Sequence, residues 1–249
     1  MKTFREIEND KVFKALMDAA NSPIQERKED MTDRKGNWIQ TYNGNKFWPI
    51  DPRPEEIDIS DIAHSLSLQC RFNSQCDFFF SVAAHSVNVA EFIASTYHNK
   101  DQFYNEFLLD ESDSKIGYDD MVAWGLLHDA SEAYLPDVPG PIKGFFPDYK
   151  AVEKKIMEAV AEKFELPELD EFHLAYLKSI DHLMMLVEHK ELGLSVKSPA
   201  PWPCPDFLKN KWPTIKLIMN DDWRQDELEF LFFFETLGIK QMENSNGQA

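Results

Sequence analysis

The segment Trp124-Gly125-Leu126-Leu127-His128-Asp129-Ala130-Ser131-Glu132 sets a His-Asp pair at the end of an apolar run, with a Glu three residues beyond it. An imidazole and a carboxylate side by side can hand one divalent cation a nitrogen and an oxygen from a single helical segment. Two partners complete such a site. His85, upstream on a second expected helix, and Asp181, downstream on a third, are the candidates. Together His85, His128, Asp129 and Asp181 form a mixed nitrogen and oxygen set that leaves positions open for water and a phosphoryl oxygen. The set suits one divalent ion, whether Mn²⁺, Co²⁺, Fe²⁺, Zn²⁺ or Mg²⁺. Such an ion would polarise a phosphoryl group and neutralise charge in the transition state.

Each of these residues also has a bland reading. His128 and Asp129 could close a helix end, Asp181 could pair with Lys178 or His182, and a lone His on an apolar helix face is usually structural. The arrival of all four on suitable helices favours a metal.

The elements that must carry them are helical. Apolar residues at helical spacing predict helices over 9–20, 59–70, 82–97, 118–134, 148–164, 171–192 and 222–237. Asp58 or Ser60 caps the second of these and Ser81 the third. His64 lies off the apolar stripe of its helix and reads as a satisfied or surface histidine. Leu174, Leu177, Asp181, Met184, Met185 and Glu188 share a broad face of the helix over 171–192, and an Asp in that company is costly to bury or is paired with a cation. Two short β runs about Asn43-Gly44 predict a small hairpin near 38–48. Arg71 sits in a polar turn, Arg71-Phe72-Asn73-Ser74-Gln75, that could aim its guanidinium into a cleft. The segment 137–143 reads as a stiff connector ending in a cation, 100–117 as an acidic solvated loop, and 198–203 as a Pro-rich loop. The last helix, with Phe230, Phe232, Phe233 and Phe234, reads as a lid or partner surface, although such a stripe is more often core. With no repeats and no parallel-strand pattern, the expectation is one all-α domain over the 249 residues, with at most a hairpin added.

Bulk composition bounds the function. Lys+Arg 26 against Asp+Glu 44 gives a formal net charge of −18, a field that repels nucleic-acid polymers. A small phosphorylated ligand is not excluded, because a metal and a few local cations can hold one. The three cysteines lack CxxC spacing and read as core thiols in a reducing compartment. No signal region or membrane-length apolar run is evident, which predicts a cytoplasmic protein without a membrane partner.

His85, then Leu127-His128-Asp129-Ala130-Ser131-Glu132, then Ile180-Asp181 resembles the H…HD…D signature of the HD-domain metal-dependent phosphohydrolases. More narrowly the chain is similar to the bacterial 5′-deoxynucleotidase branch and its phage-borne relatives. That likeness adds Glu132 and Asp137 at matching offsets, the Pro139-Gly140-Pro141-Ile142-Lys143 segment and an Arg ahead of the first metal His, here Arg71. It also includes Phe47-Trp48-Pro49-Ile50-Asp51-Pro52 and Asp61-Ile62-Ala63-His64-Ser65-Leu66, and runs roughly from 40 to 192, leaving 193–249 as a C-terminal helical extension. Ala84 and Gln75 depart from residues common in these relatives.

The resemblance implies an HD-domain helical bundle with His85, His128, Asp129 and Asp181 as metal ligands. It further implies that Glu132 positions or activates the attacking water, that Arg71 and Lys143 hold phosphate, and that Asp137 reads the sugar hydroxyl. The implied reaction is hydrolysis of a 5′-deoxynucleoside monophosphate to deoxynucleoside and phosphate. A phage-type alternative releases tripolyphosphate from a deoxynucleoside triphosphate. A third reading is a sensor that binds a nucleotide without turning it over, although such a protein has no need of Glu132. The resemblance also implies a homo-oligomer.

Overall fold

The computed structural model describes residues 34–97, 116–200, 202 and 215–242. The expected helix over 9–20, most of the acidic segment 100–117 and Cys204 lie outside the described residues. The chain divides into two compact units, Met1–Arg34 and Lys35–Ala249. The second is mainly α.

Among the described residues its six longer helices are α1 (Ile59–Leu68), α2 (Val82–Tyr97), α3 (Tyr118–Leu127), α4 (Pro147–Lys163), α5 (Glu171–Glu191) and α6 (Trp223–Leu237). A two-stranded antiparallel hairpin, β1 (Ile39–Gln40) and β2 (Lys46–Phe47), pairs Ile39 with Phe47 and Gln40 with Lys46. Gly44 turns it with a φ of 83°, a conformation open to glycine. The Asn43 N–H donates to Asp61 Oδ1 on α1 (2.7 Å), and buried Phe47 stacks on Tyr134 at 4.1 Å, so the hairpin is tied to the core at its turn and its end.

Capping follows the expected chemistry. Asp58 accepts from the Ser60 N–H at 2.8 Å, and Ser81 Oγ accepts from the Ala84 N–H at 2.9 Å while donating to buried Asp226 at 2.6 Å. Asn88 on α2 donates to the Ile218 carbonyl (3.0 Å) and accepts from the Ile218 N–H (2.7 Å), seating the strap ahead of α6.

Five expectations are corrected. The helix over 118–134 is not continuous: α3 ends at Leu127, and a 3-10 turn, Ala130–Ala133, follows. A continuing helix would send the Asp129 N–H to the Gly125 carbonyl. That acceptor is taken instead by His128 Nδ1 at 2.8 Å, and Asp129 opens to φ −100°, ψ 11°. The connector over 137–143 contains a one-turn helix, Gly140–Lys143. Cys70 lies past the end of α1, and Leu174 faces out of α5, 41% exposed. Finally, α6 is no lid: Phe230 and Phe234 are buried in the main core and α6 packs on α1, α2 and α3, although Phe232 remains exposed.

Gly125 lets α2 and α3 approach closely. A Cβ there would sit 2.8 Å from Ile93 Cδ1 and 3.1 Å from the Ala90 Cα on α2. Gly125→Val should therefore cost about 1–3 kcal/mol by overpacking. Denaturant unfolding checks the loss; an unchanged midpoint would show that the helices can part freely. Among the described residues no helix is long and apolar enough to cross a membrane.

Candidate metal centre

Three chain segments bring the predicted ligands to one point. His85, in the first turn of α2, is fully buried; His128 and Asp129 stand where α3 gives way to the 3-10 turn. Their ligand atoms lie within 4.8 Å of one another. The two Nε2 atoms are 3.3 Å apart, and Asp129 Oδ2 is 3.3 Å from His128 Nε2 and 3.8 Å from His85 Nε2. Asp181, on α5, brings Oδ1 to 3.2 Å from His85 Nε2 and 4.0 Å from His128 Nε2, with its side chain 43% exposed on the open side.

The hydrogen bonds behind the imidazoles decide which nitrogen faces this point. A carbonyl oxygen can only accept, so His128 Nδ1 carries a proton to Gly125. His85 Nδ1 donates to Glu188 Oε1 at 2.5 Å. In the neutral tautomers both Nε2 lone pairs then face each other and two carboxylate oxygens. Four acceptors converging without a donor are mutually repulsive, and a cation among them removes the conflict. Ligands at about 2.0–2.2 Å from one ion stand roughly 3–3.5 Å apart, close to the separations found here. His85, His128 and Asp129 can hold a metal ion.

The charges respond accordingly. Burial opposes the imidazolium of His128, but Asp129 at its side pushes its pKa up to about 9. Burial likewise opposes the Asp129 carboxylate, and His128, His85 and Arg71 together hold it well below the ordinary range. Glu132 goes the other way: its own burial first, then the charges of Asp129 and Asp137, push its carboxyl up to about 9.

These directions predict a pH dependence for protein stripped of divalent ions by chelation. His128, raised from 6.5 to about 9, contributes stability that is complete below 6.5 and lost as pH climbs through 9. Glu132, raised from 4.5 to about 9, contributes stability complete below 4.5 and lost over the rise to 9. Both act in the same direction, so thermal stability in chelator should fall from near-neutral pH toward about 9. Added Mn²⁺ or Mg²⁺ should lessen the fall by displacing the protons. Melting curves across that range check it; a flat profile in chelator contradicts the assignment.

Glu132 stands on the 3-10 turn three residues after Asp129, with its N–H donating to the Asp129 carbonyl at 2.9 Å. Its carboxyl is close enough to Asp129 to feel that charge. The turn is held from α1: Gln69 Nε2 donates to the Glu132 carbonyl (2.9 Å) and Ser65 Oγ to the Ala133 carbonyl (3.2 Å).

The predicted phosphate and sugar contacts stand differently. Arg71 Nε donates to Glu188 Oε2 at 2.8 Å, and its Nη1 lies 3.9 Å from Asp129 Oδ2, so its guanidinium borders the metal-capable group. Lys143 is held by Asp137 at 3.1 Å and Glu153 at 2.6 Å. Its charge is thus shared between two carboxylates rather than offered alone.

Glu188 is the residue whose role the sequence reading missed. Fully buried, it joins His85 to Arg71, and those two hold its carboxylate below the ordinary range despite its burial. Its signal was the seven-residue step from Asp181, two helical turns on one face, which puts a second carboxylate on an otherwise apolar stripe. His64 proved satisfied, as expected: it stacks on Tyr42 at 3.6 Å and its Nδ1 meets Glu227 at 3.3 Å.

No family model matches the sequence. The chain is 32% identical over 136 residues to an uncharacterized protein of Rhodobacter capsulatus, covering 53% of this chain and 61% of that protein. It is also 33% identical over 167 residues to YfdR, an uncharacterized protein of Escherichia coli strain K12, covering 67% of this chain and 78% of YfdR. With one third of the positions shared across more than three quarters of that relative, the chain belongs to the YfdR family.

Proposed function

We propose that the protein is a metal-dependent phosphohydrolase of the HD-domain kind that hydrolyses 5′-deoxynucleoside monophosphates to deoxynucleoside and phosphate. The observation that carries the reading is the convergence of His85 Nε2, His128 Nε2, Asp129 Oδ2 and Asp181 Oδ1 from three helical segments, with separations of 3.2–4.0 Å around the two imidazoles. The Glu132 carboxyl, three residues on from Asp129, adds a proton acceptor once a cation in that set draws it into its ionised form.

A divalent cation held there supplies Lewis acidity to a phosphoryl group. His85 and His128 keep their Nε2 lone pairs turned inward because Glu188 and the Gly125 carbonyl take their Nδ1 protons. Arg71, oriented by Glu188, has its remaining N–H groups to donate to phosphate oxygens. Glu132 takes the proton of the attacking water, and Lys143 and Asp137 meet the far side of the substrate from the rim. Arg71 and Lys143 are already balanced by Glu188, Asp137 and Glu153, which supports a substrate with one phosphate group over one with a triphosphate tail.

The test is turnover by chelated protein after Mn²⁺, Co²⁺ or Mg²⁺ is restored, with all four deoxynucleotides supplied as mono- and triphosphates and the products separated by chromatography. Orthophosphate and nucleoside from a monophosphate are expected. Tripolyphosphate from a triphosphate would move the assignment to a pool-depleting enzyme, and binding without any product would move it to a sensor.

A further inference from the structure

The turn that carries Arg71 is bracketed by two thiols. Cys70 and Cys76 are both free and half-buried, with their Sγ atoms 3.6 Å apart. Between them Phe72, Asn73 and Ser74 all take positive φ, at 54°, 51° and 60°, and none is a glycine. Such a run is held by its surroundings rather than by its own preference. The surroundings are the Cys70 bridge to Ser81, the bonds from the Ser74 N–H to the Arg71 carbonyl (3.1 Å) and from the Gln75 N–H to the Phe72 carbonyl (3.0 Å), the packing of Phe72 and Cys76 on Phe80, Ala84 and Leu192, the Cys76 Sγ contact with the Arg71 carbonyl at 3.8 Å, and the contacts of Arg71 itself.

We propose that Cys70 and Cys76 are a reversible dithiol–disulfide couple, and that closing it shifts Arg71 and thereby weakens the hold of the neighbouring site on its metal. The regulatory part of this proposal rests on the metal-dependent reading above; the cross-link does not.

Three observations support it. The sulfurs need to approach by about 1.5 Å to reach the bond length of a disulfide, a change within reach of side-chain rotation and a small turn shift. Cys76 Sγ also contacts the Arg71 carbonyl at 3.8 Å, so a shift of Cys76 toward Cys70 acts on the turn that carries Arg71. The Arg71 guanidinium lies 2.8 Å from Glu188, which in turn holds His85 Nδ1 at 2.5 Å, so a displaced turn is felt at a metal ligand through one buried carboxylate.

The oxidant is a low-molecular-weight disulfide. One protein thiolate attacks a sulfur of that disulfide, forms a mixed disulfide and releases one small thiolate. The second protein thiolate then attacks the protein sulfur, closes the Cys70–Cys76 bond and releases the other. Two protein thiols are oxidised, the small disulfide is reduced to two thiols, and the two protons given up by the protein thiols end on those two thiols. Burial, with Cys70 beside it, pushes the Cys76 thiol up to about 11, so its attack quickens as pH rises.

The full chain, equilibrated in buffers of varied oxidised-to-reduced glutathione, alkylated and cut with trypsin, decides the matter. Cleavage after Arg71 puts the two cysteines on separate peptides unless they are bonded. A joined peptide that appears with the oxidised buffer and vanishes with excess thiol is expected. Its absence, or joining to Cys204 instead, overturns the couple. In parallel, Mn²⁺ titration of the two forms should show weaker binding in the oxidised one by on the order of tenfold, the size seen when outer partners of metal ligands are disturbed. The difference should disappear in Cys76→Ser and in Cys70→Ser, either of which suffices if the other folds poorly. A joined peptide with unchanged Mn²⁺ affinity overturns the link to the metal site. Failure of the reduced protein to bind Mn²⁺ at all overturns the metal reading and the link together, while the peptides still decide the couple.

Discussion

Glu188→Leu is expected to lower the folding free energy by about 3–5 kcal/mol, the range for removing one partner of a buried ion pair. Glu188 is fully buried, accepts from Arg71 Nε at 2.8 Å and from His85 Nδ1 at 2.5 Å. Burial opposes the charge of Arg71, and Glu188 is the first of the carboxylates that keep it. Leucine fills much of the volume but leaves the guanidinium desolvated without its counter-charge and the His85 N–H without an acceptor. For a chain of this size the loss should appear as a fall in melting temperature of roughly 10 °C. Glu188→Gln keeps an acceptor toward His85 and loses the charge, so its effect should be smaller on stability than that of leucine. A Leu variant that melts with the natural protein would show that Arg71 and His85 find other partners, and that Glu188 does not organise the site.

Glu132→Gln should leave divalent-ion binding close to that of the natural protein and lower turnover by about 10²–10⁴-fold, the usual contribution of general acid–base catalysis. The amide preserves the shape of the side chain on the 3-10 turn but has no carboxylate to take a proton. Burial and the charges of Asp129 and Asp137 raise the Glu132 carboxyl to about 9, so a cation beside it is needed to draw the group into its ionised form at neutral pH. Activity should accordingly require both the metal and this carboxylate. Parallel Mn²⁺ titration and single-turnover rates separate the two. Equal rates in the two proteins would remove Glu132 from the chemistry, and lost Mn²⁺ binding would make it a metal-holding residue instead.

The six longer helices among the described residues carry apolar residues at a spacing that local sequence alone can register, so their presence and approximate limits were legible, as were the caps at Asp58 and Ser81 and the hairpin about Gly44. The His-Asp pair was legible too, because its members are neighbours in the chain. Three matters were settled only by tertiary structure. The break at Leu127 depends on which donor reaches the Gly125 carbonyl, a choice made by His128 once the close approach of α2 and α3 has placed it. The burial of Phe230 and Phe234, and the outward turn of Leu174, depend on which neighbour covers each face of a helix that is apolar over a wide arc. The link from Arg71 through Glu188 to His85 spans residues separated by more than one hundred positions. A single sequence can show that a buried carboxylate needs a cation, but only the folded chain decides which cation stands within hydrogen-bond reach of it.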